Sequence, residues 1–82
     1  MKPPVQFALG ALKPGHTAVV VGYTVDRAVR RRFVEMGLIP GVAVTAVRSA
    51  PLGDPIEFAV MGSRLSIRKE DAGAVLVEEQ AR

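Results

Sequence analysis

Turn residues cut the chain into short hydrophobic runs, at the spacing of a small β-barrel carrying one helical insertion. Thr17–Tyr23 is β-branched and flanked by glycine, which predicts a strand. Val42–Arg48 predicts a second, with Val42, Val44 and Ala46 on one side. Ile56–Met61 alternates more clearly and puts Ile56, Phe58 and Val60 on one face. In Arg64–Arg68 the period of two is cleanest: Leu65 and Ile67 turn inward while the charges turn out. Gly62 and Ser63 suit the two-residue loop of a type II′ hairpin between those runs. Glu70–Gly73 reads as a single helical turn, and Val75–Val77 after it as a short strand. The opening Phe7–Leu12 reads as another helical turn, stopped by Pro14 and Gly15.

One segment keeps a helical period and is specified at both ends. Asp26 is a good N-cap, able to accept from the free amides of the first turn. Gly37 stands where a left-handed C′ residue is wanted, and Pro40 prevents continuation. With Gly37 as C′, Leu38 and Phe33 become the pair that closes the helix end with an apolar contact. Val29, Phe33 and Met36 share one face, and Arg27, Arg30, Arg31 and Val34 share the opposite one. Glu35 follows Arg31 and Arg32 at helical spacing, so it offsets part of their charge.

Composition narrows the class. The 82 residues allow one domain, and 49% hydrophobic with 23% charged residues predicts a folded chain. The absence of cysteine excludes a disulfide scaffold, a Cys-based zinc site, an iron–sulfur cluster and a thiol nucleophile. No run approaches the roughly 20 apolar residues of a spanning helix. Lys2 gives the start a positive charge, but no continuous apolar stretch follows, so a cytosolic location is expected.

Candidate catalytic groups are few. The only histidine, His16, sits in a turn after Pro14 and Gly15 with no triad partners in view. Asp54 and Glu57 flank a turn and read as solvated charges, and no Gly-Lys-Ser/Thr phosphate loop occurs. One imidazole and scattered carboxylates make a poor metal-ligand inventory, and Met36 reads as packing. The expectation is a protein with no enzymatic activity, no cofactor, and no metal, catalytic or cofactor-binding residues.

Charge is uneven. Residues 1–48 hold seven basic and two acidic residues, and residues 49–82 hold four and six, within a net charge of +3. Arg30, Arg31 and Arg32 invite a nucleic-acid reading, because phosphates call for Lys or Arg. Base stacking needs exposed aromatics, however, and Phe33 and Phe58 are buried by pattern, leaving Tyr23 and Phe7. A solvated helix face is the plainer account. A third account is protein contact: Val34 lies among arginines, a common interface composition. Leu52 and Asp54 sit in the proline-restricted turn Ala50–Pro55, which would lose little entropy on binding. Arg27, Arg30, Arg31, Val34, Leu52 and Asp54 are therefore the candidate partner-binding residues.

Three stretches together resemble the FeoA family: Leu12–Gly15, the helix end Arg31–Gly41, and the Ala-Pro-Leu-Gly-Asp-Pro turn at 50–55. Leu65–Ala72 and Val75–Val77 follow in the family's order, so the resemblance spans about residues 7–79 of a single domain of 1–82. It implies a small SH3-like β-barrel of the bacterial cytoplasm, mainly β, with one inserted helix and short helical turns. It also implies an accessory role in ferrous iron uptake and a partner, the FeoB permease with its cytosolic G-protein domain, that would recruit the chain to the inner membrane face. A nucleic-acid-binding barrel and a ferrous iron chaperone are the alternatives, and exposed barrel edges offer a route to a homodimer. Gly10 departs from the family pattern, standing where a polar residue is common.

Overall fold

Alternation along each apolar run resolves into one antiparallel sheet in the computed structural model, which describes residues 5–79. Its strands are β1 (Gln6–Ala8), β2 (Thr17–Tyr23), β3 (Ala43–Ser49), β4 (Ile56–Val60), β5 (Ser63–Ile67) and β6 (Val75–Glu79). They pair in the order β1-β6-β2-β3-β4-β5. Helix α1 (Arg27–Glu35) joins β2 to β3, and the single turn α2 (Lys69–Ala72) joins β5 to β6. Residues 1–4, with Lys2, and 80–82 lie outside the described residues.

The inward-facing positions make one core. Val20, Val44, Phe58, Ile67, Val75 and Val77 come from the strands, Phe33 from α1 and Ala72 from α2, all buried. Register shifts between Val20 and Gly22 in β2 and between Ala46 and Arg48 in β3 mark bulges. Each bends its strand and changes which side chains face inward. After the first, Tyr23 packs on the core beside α1; after the second, Arg48 emerges opposite Glu57.

Both helix ends form as their sequence specifies. Asp26 accepts from the Val29 amide at 3.2 Å. At the other end Leu38 donates to the Phe33 carbonyl at 2.9 Å and Gly37 to Val34 at 3.0 Å, the paired bonds of a Schellman motif. Gly37 takes φ +97°, which a side chain would resist, and Leu38 is fully buried.

Two expectations need correction. The opening stretch is not simply helical: Gln6–Ala8 pairs with β6, Phe7 opposite Val77, and only Leu9–Ala11 forms a 3-10 turn. A three-residue strand carries no readable period, and its structure comes from the edge that β6 offers. In the hairpin, Val60 pairs with Ser63, so Met61 and Gly62 form the loop with φ of 49° and 82°. Positive φ at both positions makes it type I′ rather than II′. That register sets Ile56 opposite Ile67; a loop at Gly62 and Ser63 would have moved Ile56 across from Lys69. At Gly10 a Cβ would meet the Ala72 Cβ at 3.5 Å, an ordinary contact, so the packing of the 3-10 turn on α2 leaves room for a side chain there.

Candidate functional site

Val29, Phe33 and Met36 pack α1 on the core, which leaves Arg27, Arg30, Arg31 and Val34 facing solvent. With Ala28 these four line one open concavity, so the helix brings together the candidate contact residues assigned to it. Val34 is 39% exposed, enough to offer apolar surface between the arginines. Arg27, Arg30 and Arg31 make no ion pair among the described residues, whereas Arg32 reaches Asp71 at 3.5 Å and ties α1 to α2. The expected local partner of Arg32, Glu35, is not the one it uses.

Arg30 is held from below. Its guanidinium carbon lies 5.7 Å from the centre of the Tyr23 ring, within reach of a cation–π contact. Tyr23 in turn lies parallel to Phe33, with ring centres 6.1 Å apart, and donates its hydroxyl to the Leu38 carbonyl. Burial pushes the Tyr23 phenol above its ordinary value, against a smaller opposing pull from Arg30, so the phenol remains a donor. Tyr23 as a support for Arg30 is a role the sequence conceals, because it depends on the β2 bulge.

The turn at 50–55 behaves differently. Its base is closed by bonds from Gly53 to the Ala50 carbonyl at 2.7 Å and from Ala50 to the Pro55 carbonyl at 2.9 Å. Leu52 does not fold back on the barrel: it is 96% exposed. Asp54 is not simply a solvated charge. Its carboxylate accepts from the Lys69 amide at 2.9 Å, satisfying the first turn of α2 from a distance of 15 residues in sequence. No local signal announces a cap supplied from so far away.

Glu57 also departs from the solvated reading. It accepts from Arg48 at 2.9 Å and Arg64 at 2.8 Å, and these two bonds hold its carboxyl below the ordinary value of 4.5. Arg48 is its direct cross-strand neighbour, and Arg64 stands opposite Ala59, one diagonal away. His16, expected as a free turn residue, pairs through Nδ1 with Glu79, while Gln6 donates to Glu78 at 3.2 Å. Among the described residues no three His, Asp or Glu side chains gather around a common point. No described helix is long and apolar enough to cross a membrane.

The FeoA domain family matches residues 7–79. Over 70 residues the chain is 39% identical to the Fe(2+) transport protein A/Fe(2+) transporter FeoB fusion protein of Porphyromonas gingivalis, covering 85% of this chain. It spans only 8% of that protein's length. The solution structure of FeoA from Chlorobium tepidum shares 39% identity at a TM-score of 0.82, over 92% of this chain and 71% of that one. The crystal structure of zinc-complexed Stenotrophomonas maltophilia FeoA, described as a prokaryotic SH3 domain protein, shares 29% identity at a TM-score of 0.73. It is matched over 87% of this chain and 88% of its own. With the six-stranded antiparallel sheet and the inserted helix, these likenesses make the fold SH3-like and mainly β, and the chain belongs to the FeoA family.

Proposed function

We propose that this protein is an accessory of ferrous iron uptake that acts by direct contact with a FeoB-type permease at the cytoplasmic face of the membrane. One observation carries the reading: in the Porphyromonas gingivalis relative a homologous segment is joined in one chain to a FeoB transporter. A domain joined to a transporter works at high effective concentration beside it, and contact between the two needs a binding surface on the domain. The outward face of α1, with Arg27, Arg30, Arg31 and Val34, is that surface. Leu52 supplies a second apolar contact, and Asp54 holds its turn against α2. Docking influences the permease only through tighter binding to one of its states than to another. The chain performs no catalytic step of its own.

The test is capture from detergent-solubilised membranes with the tagged chain as bait and the permease identified by mass spectrometry. Recovery of the permease by the native chain, and its loss with a folded Arg30→Glu/Arg31→Glu variant, are the expected results. Equal recovery by both would remove α1 from the docking surface. No recovery by a folded bait would remove stable docking.

A further inference from the structure

Resting on that docking reading, we infer that the α1 face receives an acidic segment whose carboxylates flank a single aliphatic side chain. Arg32 is spent on Asp71, and Arg48 and Arg64 on Glu57, while Arg27, Arg30 and Arg31 have no carboxylate partner among the described residues. These three share a concavity with Ala28 and Val34, whose rim is cationic and whose lining is mostly apolar, made of the arginine stems with Ala28 and Val34. Positions 27, 30, 31 and 34 form one stripe along the helix, about 10 Å long at 1.5 Å per residue. Two turns of a partner helix cover that length, with one aliphatic side chain beside Val34 and carboxylates on either side.

Arg30 is pre-organised for such a partner. Its position over Tyr23 restricts a side chain that would otherwise lose much rotamer freedom on binding. Guanidinium groups suit carboxylates because they bind them through two parallel hydrogen bonds.

The same observations weigh against other anions. Nucleic acid binding through stacked bases needs a free aromatic ring. Phe33 and Phe58 are buried, Phe7 is packed against the core, and Tyr23 is engaged by Arg30 and Phe33. An anionic membrane would engage several large apolar side chains beside the cations. This face offers Val34 alone, and Leu52 and Met61, the two most exposed large apolar groups among the described residues, lie on other elements.

Fluorescence anisotropy with the full chain tests the inference. The probe is a labelled helical peptide with glutamates at i, i+4 and i+7 and one central leucine at i+3, all on one face. Saturable binding is expected, weakened about tenfold in Arg27→Glu/Arg31→Glu, a loss equivalent to about 1.4 kcal/mol. Replacing the peptide leucine with serine, or making Val34→Ser, should weaken binding severalfold, with circular dichroism of each variant unchanged. Equal binding of the leucine-free peptide would overturn the inference, as would tighter binding of oligothymidylate or phosphatidylglycerol vesicles. The peptide then serves as competitor in the permease capture. Capture that persists under saturating peptide sinks the acidic-segment inference while leaving the docking reading intact. Peptide binding to α1 without any permease capture supports the inference and sinks the docking reading.

Discussion

On the β3–β4–β5 surface, Arg48 and Arg64 converge on Glu57, each within 2.9 Å of a carboxylate oxygen. On α1, Arg27, Arg30 and Arg31 lie side by side with no carboxylate on their stripe. The residue type is the same, and the difference comes from what the fold sets opposite it. Strand pairing places Glu57 directly across from Arg48, so that charge is closed off within the molecule. Helix α1 has a core on one side and solvent on the other, so its charge remains available to a partner. Counting arginines along the chain does not separate these cases; the partner carboxylate does.

The largest expected effect breaks the support beneath the α1 face. Phe33 is 1% exposed and lies parallel to Tyr23, so Phe33→Ala leaves a cavity under both the helix and the Arg30 contact. Loss of a buried phenylalanine costs about 3–5 kcal/mol, comparable with the whole stability of a small domain lacking staples. Chemical denaturation should show a variant largely unfolded, whereas Arg27→Glu/Arg31→Glu on the opposite face should unfold within about 0.5 kcal/mol of the native chain. A large loss of stability in the arginine variant would show that the outward charges serve the fold rather than a partner.

Next in size is Gly37→Ala, which attacks the end of α1. No atom lies within 4 Å of the added Cβ, so the cost comes only from φ +97° and should be about 1–2 kcal/mol. Asp54→Ala should cost about 1 kcal/mol by removing the cap on the Lys69 amide. The two changes sharpen the comparison because one touches the helix bearing the free arginines and the other the turn bearing Leu52. Hydrogen exchange should locate each effect, loosening the last turn of α1 in the first variant and α2 in the second. Any change at α1 in Asp54→Ala should be small and centred on Arg32, whose ion pair with Asp71 joins the two helices.

Legibility followed the range of the determining interactions. Both ends of α1 could be read because Asp26, Gly37 and Leu38 act within one turn of the helix. The inward faces of β4 and β5 could be read from a period of two. The strand β1 could not, since three residues owe their conformation to β6 at the far end of the chain. The hairpin loop was off by one residue because two registers keep the same face inward, and only the pairing of Ile56 with Ile67 separates them. At the candidate surface, the arginine stripe and Val34 were visible from helical spacing. Leu52's exposure, Asp54's capping bond and Tyr23's support for Arg30 depend on contacts between distant segments, and no local pattern encodes them.

The smallest effect tests the closed charge cluster through pH. Hydrogen bonds from Arg64 and Arg48 hold the Glu57 carboxyl below 4.5, so the folded chain binds that proton less readily than the unfolded chain. The resulting stability is fully present above pH 4.5 and is lost as pH falls through the lower folded value. In Glu57→Gln this contribution to the acid slope should vanish, while the slope contributed by other carboxylates remains. Because the pair is solvent-accessible, added salt should flatten the Glu57 contribution as well. Reversing Arg27 and Arg31 to glutamate should leave that slope unchanged, since neither touches Glu57. Urea titrations across the acid range at low and high salt separate these outcomes. An acid slope insensitive to Glu57→Gln would mean that Arg48 and Arg64 do not close on this carboxylate in solution. Their charge would then be as free as that of α1, and the contrast between the two surfaces would collapse.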